Sequence, residues 1–256
     1  MLLEVNGLTK NFGGLSAVSN DSMKVNKGEL IGLIGPNGAG KTTFFNLLTG
    51  VYEPTEGTVS LEVDGQLKSL NGLAPYKRTS LGMARTFQNI RLFKDLTVLE
   101  NVMIAMHAHS SDSLFSTLFR TKKYYDTEAK MREEAVELLK IFNLDSLKDE
   151  KAKNLAYGQQ RELEIVRALA TKPKILFLDE PAAGMNPQET AQLTELIAKI
   201  QAEFDLTVVL IEHDMSLVMK ICQRIYVLEY GRLLAEGTPE EIKQNPAVIK
   251  AYLGGE

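Results

Sequence analysis

A glycine-rich loop between a buried strand and a helix constrains this chain more than any other feature. The apolar residues Leu30–Ile34 show no polar alternation, which is typical of a central parallel strand buried on both faces. The pattern Gly-x₄-Gly-Lys-Thr follows at Gly35, and the helix pattern after the loop stops at Gly50. Glycines let successive N–H groups turn inward and the helix N-terminus adds partial positive charge, so the arrangement predicts phosphate binding. The predicted contacts are Gly35, Pro36, Asn37, Gly38, Ala39, Gly40, Lys41, Thr42 and Thr43.

Three side chains of this loop have separate predicted roles. Lys41 reaches the β- and γ-phosphates of a nucleotide, and the Thr42 hydroxyl is a hard oxygen ligand for Mg²⁺. Thr43 is expected to support the α-phosphate. A glycine-rich turn can produce the bare pattern by chance, but the strand before it and the helix after it favour nucleotide binding.

A second apolar run, residues 175–178, ends in two carboxylates. Asp179, at the end of a strand parallel to the first, can hold Mg²⁺ through a water molecule. Glu180 faces a different direction and can polarise the water that attacks the γ-phosphate. The sequence therefore predicts hydrolysis of ATP as well as its binding.

Strand and helix patterns alternate along the chain, which predicts an α/β fold. Two hairpin turns, Asp64-Gly65 and Tyr230-Gly231, predict antiparallel additions to a parallel sheet. The strand patterns cover residues 2–5, 23–25, 30–34, 58–63, 83–87, 175–178, 207–211, 225–229 and 233–236.

Helical patterns replace strand patterns from residue 96 to residue 170. Thr97 and Glu100 have the spacing of a capping box, and residues 128–142 are amphipathic at helical period. Residues 107–126 show no clear order. We expect a single domain with an α/β core from residues 1–91 and 159–240, a helical subdomain from residues 92–158, and a tail from residues 241–256.

Composition limits the surroundings in which the chain works. The net charge of −4 argues against a broad nucleic-acid surface, and the single cysteine, Cys222, excludes an internal disulfide and fits a reducing compartment. The most apolar runs are four to six residues long, whereas a membrane span needs about 20. The N-terminus lacks the basic start and apolar core of a signal peptide. We expect a cytoplasmic protein that reaches a membrane only through other subunits.

The segment Asn154-Leu-Ala-Tyr-Gly-Gln-Gln-Arg161 precedes a helix pattern, and Gly158 at that helix start favours an anion contact. With this segment the chain resembles the ABC ATPase family over nearly its whole length. The family order is a phosphate loop, a glutamine after a strand (Gln88), a signature segment, an Asp-Glu pair, and a histidine after a strand (His213). The resemblance implies a P-loop NTPase fold with a RecA-like parallel-sheet core, an antiparallel β subdomain and an inserted helical subdomain.

The resemblance also implies roles for individual residues. The signature segment, similar to Leu-Ser-Gly-Gly-Gln, would contact the γ-phosphate of ATP bound to a second ATPase subunit, in a head-to-tail dimer that holds two ATP molecules. Phe12 matches the aromatic residue that stacks on adenine, Gln88 the Mg²⁺ ligand that senses the membrane subunit, and His213 the histidine that contacts the γ-phosphate. The signature residues are Leu155, Ala156, Tyr157, Gly158 and Gln159.

Within this family, several stretches are similar to the ATPases of branched-chain amino-acid importers. That subfamily pairs two ATPases with two permeases and a periplasmic or extracellular binding protein, so the resemblance implies a homo- or heterodimer on the cytoplasmic face of the membrane. Residues 89–93 are the expected edge of the groove that receives a permease helix, with core packing as the alternative. The similar stretches are Leu8-Thr-Lys-Asn-Phe-Gly-Gly14, Arg85-Thr-Phe-Gln-Asn-Ile-Arg-Leu-Phe93, Asn154-Leu-Ala-Tyr-Gly-Gln-Gln-Arg161, Glu180-Pro-Ala-Ala-Gly-Met-Asn-Pro187, Ile211-Glu-His-Asp-Met215 and Ala251-Tyr-Leu-Gly-Gly255.

Other classes of protein use some of the same motifs. A soluble ABC ATPase acting on DNA, ribosomes or iron–sulfur assembly commonly has two cassettes, long coiled coils or basic tails, none of which this sequence shows. A GTPase needs an Asn-Lys-x-Asp guanine reader, which does not occur, and a kinase needs no segment like residues 155–159. Importers of another amino acid, an amide or urea use motors of the same kind.

The signature departs from the consensus because Ala156 and Tyr157 replace serine and glycine. Without the serine hydroxyl, one charge-assisted hydrogen bond to the γ-phosphate is lost, worth roughly 1.5–3 kcal/mol. We expect the site built with this signature to turn over more slowly, so that the two composite sites differ if the partner ATPase carries the serine. Ala156→Ser should then raise the steady-state ATPase rate measured by phosphate release. An unchanged rate would remove the hypothesis.

Overall fold

The computed structural model describes residues 1–107 and 122–253. The chain divides into two compact units, the first formed by Met1–Arg85 with Lys174–Glu256 and the second by Thr86–Pro173. The helical subdomain expected at residues 92–158 falls inside the second unit, which extends further at both ends. The signature helix therefore groups with the helical subdomain and not with the α/β core.

The first unit contains a six-stranded sheet in which five neighbouring strands are parallel. Its strands are β3 (Leu30–Ile34), β6 (Met83–Arg85), β7 (Ile175–Asp179), β8 (Thr207–Ile211), β9 (Arg224–Glu229) and β10 (Arg232–Gly237), in the order β10-β9-β3-β8-β7-β6. Every residue of β3, β7 and β8 is buried, as a parallel sheet covered on both faces requires. Only β10 is antiparallel to its neighbour.

A second sheet of the same unit is antiparallel throughout. Its strands are β1 (Leu3–Phe12), β2 (Leu15–Val25), β4 (Glu56–Val63) and β5 (Gln66–Ser69), in the order β2-β1-β4-β5. The predicted hairpin turns are confirmed, and Asp64, Gly65, Tyr230 and Gly231 all have positive φ. Strands β1 and β2 run longer than predicted because register shifts interrupt the alternation that reveals a strand in sequence.

Six helices are described in the first unit. They are α1 (Lys41–Leu48), α2 (Pro75–Ser80), α6 (Pro187–Glu203), α7 (Met215–Ile221), α8 (Pro239–Gln244) and α9 (Pro246–Leu253). Helix α1 ends where predicted, with Gly50 in the left-handed region. The described part of the segment predicted as a tail is largely helical. Thr238 and Glu241 form a capping box at α8, and the Asn245 Oδ1 accepts from the N–H groups of Ala247 and Val248 at the start of α9.

Helices α3 (Val98–Met106), α4 (Lys122–Ile141) and α5 (Tyr157–Ala170) belong to the second unit. The Thr97–Glu100 capping box is confirmed, since the Thr97 hydroxyl accepts from the Glu100 N–H and the Glu100 carboxylate accepts from the Thr97 N–H. Of the region predicted to lack order, residues 108–121 lie outside the described residues. Among the residues that are described, no helix has the length and apolar character to cross a bilayer.

Asp21 is a buried carboxylate that links the two sheets of the first unit. Its Oδ1 accepts a hydrogen bond from the Leu233 N–H at 2.7 Å, and the residue is only 4% exposed. Its Oδ2 is buried without a hydrogen-bond partner among the described residues. Burial raises the pKa of Asp21 to about 6, opposed by the Leu233 N–H and the Arg232 charge.

We expect this group to make folding stability fall as pH rises. A carboxyl whose pKa is higher in the folded state stabilises the fold most below its unfolded value of 3.8 and loses that contribution as pH passes through about 6. Asp21→Asn should therefore raise the free energy of unfolding at pH 7.5 by on the order of 1–3 kcal/mol and flatten its pH dependence. Urea denaturation between pH 4.5 and 7.5 measures this.

Asp64→Asn, in the exposed turn between β4 and β5, is the matched control and should change stability by less than about 0.5 kcal/mol. An Asp21→Asn protein that lost equal stability at both ends of the pH range would contradict the expectation.

Candidate functional site

The predicted site residues of the first unit follow neighbouring parallel strands. The phosphate loop follows β3, His213 follows β8, and Asp179 and Glu180 lie at the end of β7. Carboxyl ends of parallel strands meet at the same edge of a sheet, where open α/β folds bind their ligands. The sheet order thus gathers groups that are up to 178 positions apart in the sequence.

The phosphate loop packs directly against backbone. A β-carbon at Gly35 would lie 2.1 Å from the Leu228 carbonyl oxygen, and one at Gly40 would lie 2.6 Å from the Ala17 carbonyl oxygen. Gly40 also has a φ of 97°, which residues with a side chain rarely adopt. No residue other than glycine fits these two positions without displacing a strand.

Lys41 lies across the phosphate loop. Its Nζ donates to the carbonyl oxygens of Gly35 at 2.7 Å and Pro36 at 2.9 Å, and its side chain is buried. Burial lowers the pKa of Lys41, and the Glu180 carboxylate opposes this shift. Helix α1 begins after Gly40 without a side-chain cap. The ammonium group and the first N–H groups of α1 therefore form a cradle suited to phosphate oxygens.

Asp179 is paired with an arginine that the sequence did not single out. Arg85, the last residue of β6, places Nη2 2.7 Å from the Asp179 Oδ2, and both side chains are at most 10% exposed. Its Nη1 donates to Asn46 Oδ1 at 2.7 Å and to Thr49 Oγ1 at 2.8 Å. Arg85 thereby joins the carboxylate to helix α1. The sequence showed only a cation inside the strand predicted at residues 83–87, which in the structure ends at Arg85, because the pairing of β6 with β7 is tertiary.

Glu180 and His213 are in direct contact. Their Oε1 and Nε2 atoms lie 2.6 Å apart, with the imidazole half exposed and the carboxylate mostly covered. Glu180 has a φ of 49°, a conformation that is uncommon for a residue with a side chain and that clusters at functional sites. Its N–H donates to the Ile211 carbonyl at 2.9 Å, which attaches the Glu180 turn to β8.

Glu212 is a second residue of this edge that no sequence pattern indicated. It is 4% exposed, and its carboxylate accepts from the backbone N–H groups of Ala182 at 2.8 Å and His213 at 3.0 Å. Burial raises the pKa of Glu212, and these N–H groups oppose the shift. Glu212 therefore ties the turn after Glu180 to the segment that carries His213. An apolar strand ending in Glu-His was its only sign in the sequence.

Phe12 ends strand β1 with its ring 43% exposed. It makes a T-shaped contact with Tyr52, with ring centroids 5.4 Å apart, and Lys10 Nζ lies over the ring at 5.2 Å from its centroid. The exposed part of this ring offers apolar surface to a planar ligand.

Gln88 and the signature residues belong to the second unit. The Gln88 side chain is exposed, while Leu155 is buried beneath the start of α5. Gln159 Oε1 accepts from the Ala156 N–H at 3.1 Å, but Ala156 has no side-chain acceptor for the return bond of a capping box. The first turn of α5 therefore has N–H groups that no capping side chain satisfies, which suits an anion.

The sequence matches known families in two places. A family model described as ABC transporter matches residues 18–183. The chain belongs to the ABC transporter family. A second model, described as Branched-chain amino acid ATP-binding cassette transporter, matches residues 232–256 of this ABC protein.

Curated relatives extend the match to almost the whole chain. This ABC protein is 51% identical to the high-affinity branched-chain amino acid transport ATP-binding protein BraF of Pseudomonas aeruginosa, over 99% of this chain and 98% of the relative. It is 50% identical to LivG of Salmonella typhimurium, with the same coverage. A probable LivG of Archaeoglobus fulgidus is 36% identical, over 100% of this chain and 96% of the relative.

Solved structures show the same fold. The ADP conformation of MJ1267, an ATP-binding cassette of an ABC transporter, has a TM-score of 0.84 and 34% identity, covering 100% of this chain and 99% of that one. A dimeric, post-hydrolysis cassette, MJ0796 bound to ADP and Pi, has a TM-score of 0.76 and 26% identity, covering 93% of this chain and 99% of that one. The predicted family, fold and ATPase activity are confirmed.

The buried Arg85–Asp179 pair of this ABC ATPase should be essential for its stability. Arg85→Met leaves the Asp179 carboxylate buried without its cation, which we expect to lower the free energy of unfolding by about 3–5 kcal/mol. Urea denaturation measures the loss, and Arg85→Met combined with Asp179→Asn should recover part of it because the unpaired charge is gone.

Lys153→Met is the matched control, since Lys153 pairs with Asp95 at 2.8 Å on the surface and its removal should cost at most about 1 kcal/mol. Equal losses from Arg85→Met and Lys153→Met would show that the buried pair contributes no more than a surface pair.

Proposed function

We propose that this chain is the ATP-hydrolysing motor of an importer for branched-chain amino acids, attached to the cytoplasmic face of the membrane through permease subunits. The observation that carries the solute assignment is 51% identity over 99% of the chain to an ATP-binding protein named for that transport. The family match at residues 232–256, in the C-terminal segment of the chain, points the same way.

ATP binding is assigned to the phosphate loop and to Phe12. The Lys41 ammonium leaves the carbonyl oxygens of Gly35 and Pro36 for the β- and γ-phosphates, to which backbone N–H groups of the loop also donate. Thr43 supports the α-phosphate, and the partly exposed ring of Phe12 stacks on adenine. The exposed tip at Gly38, where a β-carbon would meet nothing within 4 Å, leaves room for the ligand.

The oxygen donors present fit Mg²⁺. The Thr42 hydroxyl lies at the exposed start of α1, and the carboxylate of Asp179 is held in place by Arg85. Hard oxygen ligands of this kind, with several waters retained, are what Mg²⁺ prefers. We assign Thr42 as a direct ligand, Asp179 as a ligand through water, and Gln88 as a further ligand. When bound, Mg²⁺ neutralises charge on the β- and γ-phosphate oxygens.

Hydrolysis is assigned to the Glu180–His213 pair. Glu180 accepts a proton from the attacking water, since its carboxylate lies at the ligand edge of the sheet in a fixed, left-handed turn. His213, 2.6 Å from that carboxylate, orients Glu180 and donates toward the γ-phosphate. Glu212 holds both segments through their backbone N–H groups, which keeps the geometry of the pair.

A second ATPase subunit completes each site. The signature residues 155–159, at the uncapped start of α5, contact the γ-phosphate of ATP bound to the partner subunit. ATP then closes a head-to-tail dimer, and hydrolysis reopens it. The edge of the permease groove is assigned to residues 89–93, where Phe93 is 47% exposed and partly covered by Arg167.

The assembled transporter tests this proposal. With its permeases, second ATPase and binding protein in proteoliposomes, the complex should hydrolyse ATP several-fold faster when the binding protein is loaded with leucine, isoleucine or valine. Stimulation by an amide, urea or another amino acid alone would replace the solute assignment, and activity that needs no permease would favour a soluble ABC ATPase.

Glu180→Gln in the same complex tests the assignment of the base. Removing the base should lower the rate of phosphate release at least about 10²-fold. The affinity for ATP, measured by calorimetry, should not change. A fully active Glu180→Gln complex would contradict the assignment of the base.

A further inference from the structure

One buried arginine of the second unit contacts both segments of that unit that are assigned to the ATP site. Arg161, in the second turn of α5, is 3% exposed. Its Nη1 donates to the Phe87 carbonyl oxygen at 2.8 Å, and its Nη2 donates to the Gln88 carbonyl oxygen. The same Nη2 donates to the Tyr157 hydroxyl at 3.0 Å. The Arg161 guanidinium thus donates hydrogen bonds to the backbone of residues 87–91, here called the glutamine segment, and to a side chain of the signature.

Two further side chains on the same face of α5 hold the glutamine segment. Glu164, 5% exposed, accepts from the Arg91 N–H at 3.2 Å, and Arg167 donates to the Arg91 carbonyl oxygen. The Arg91 guanidinium also lies 4.0 Å from the centroid of the Phe87 ring. Positions 161, 164 and 167 are successive i, i+3 neighbours on α5, so residues 87–91 are hydrogen-bonded along this helix.

Arginine suits this position for a geometric reason. The two carbonyl oxygens and the hydroxyl lie around one guanidinium plane, whose fixed fork donates several hydrogen bonds at once. A lysine ammonium at the same place carries the charge but cannot reproduce the fork. An apolar side chain of equal volume would fill the space and leave both carbonyl groups without their donor.

Tyr157 gives this chain a contact that the signature consensus lacks. The consensus places glycine there, and glycine has no side chain that Arg161 could reach. Here the phenol bonds Arg161, and the guanidinium also lies 5.5 Å from the Tyr157 ring centroid. The departure from consensus that removes the serine hydroxyl at Ala156 is therefore accompanied by a new bond one residue later.

We propose that Arg161 is a positioning residue that couples the Gln88 segment to the signature through Tyr157, so that the metal-binding glutamine and the surface that closes on the partner's ATP move together. The proposal rests on the roles assigned above to Gln88 and to residues 155–159. It adds that the coupling runs within one subunit through three identified acceptors: the carbonyl oxygens of Phe87 and Gln88 and the hydroxyl of Tyr157.

The test uses the full chain carrying Glu180→Gln, in which ATP should drive dimer formation. Arg161→Lys, Tyr157→Phe and the double variant are added to it, and sedimentation velocity at saturating Mg²⁺ and ATP measures the dimer dissociation constant. We expect Arg161→Lys to weaken dimerisation about tenfold and Tyr157→Phe about three- to tenfold. The dimer of the double variant should dissociate no more readily than that of Arg161→Lys alone, because both changes remove the same contact between Arg161 and Tyr157.

A second readout separates coupling from mere structure. In the chain with Glu180 intact, Arg161→Lys should raise the Mg²⁺ concentration for half-maximal ATPase activity several-fold, because Gln88 loses its backbone anchor. Tyr157→Phe leaves the two carbonyl bonds in place and should not shift it. If the role of Arg161 were only structural, Arg161→Lys would not raise the Mg²⁺ requirement selectively while Tyr157→Phe left it unchanged.

Arg224→Lys is the matched control, since Arg224 bonds the Lys24 carbonyl oxygen and the Glu29 and Glu236 carboxylates in the first unit. It should lower thermal stability without changing dimerisation or the Mg²⁺ requirement. Tyr157→Phe removes one oxygen from a residue that is 46% exposed, so that variant should fold even where Arg161→Lys does not.

The outcomes distinguish this inference from the function on which it rests. If the parent Glu180→Gln chain forms no dimer with ATP, the proposed dimer fails and the inference fails with it. If the parent dimerises while Arg161→Lys and Tyr157→Phe leave its dissociation constant unchanged, or if their effects simply add, only the coupling through Arg161 is overturned.

Discussion

The fold depends on the close contact between the phosphate loop and the strands beside it. Gly35 and Gly40 leave no space for a side chain against the carbonyl oxygens of Leu228 and Ala17. The Gly231 N–H, in the turn between β9 and β10, donates to the Ala39 carbonyl oxygen at 2.9 Å. The loop therefore takes its position from both sheets of the first unit. Because Lys41 and α1 follow the loop directly, the position of the loop also fixes the Lys41 ammonium and the N-terminus of α1. Positive charge therefore lies at one edge of the parallel sheet.

The carboxylates at this edge are each balanced in a different way. Asp179 has a guanidinium, Glu180 has an imidazole, and Glu212 has backbone N–H groups as partners. Burying a carboxylate is costly unless such partners offset the lost hydration, as the raised pKa of Asp21, whose Oδ2 is buried without a partner among the described residues, illustrates. Negative groups can therefore be concentrated where Mg²⁺ and water are expected, because strand order supplies their partners from three separate segments.

In the second unit, charged side chains of α5 satisfy backbone groups of an irregular segment. The segment after Gln88 has no regular structure up to Thr97, so its carbonyl and N–H groups need partners from elsewhere. Arg161, Glu164 and Arg167 on α5 supply several of them. An irregular segment fastened in this way follows the helix to which it is bonded. That gives the signature helix and the glutamine segment a shared framework without either having to be rigid alone.

The sequence by itself determined the elements whose signals are local. The phosphate loop, the buried strand before it, the capping box at Thr97 and the two hairpin turns depend on residues a few positions apart, and all appear as predicted. The family resemblance added Phe12 and Gln88, which no pattern in the chain would have selected. Only the tertiary structure decided the partners of buried charge, such as Arg85 with Asp179 and Arg161 with the Gln88 carbonyl. Such pairs join residues 73 and 94 positions apart, and charge pairing at that distance leaves no periodic trace in a sequence because it depends on which strands and helices become neighbours.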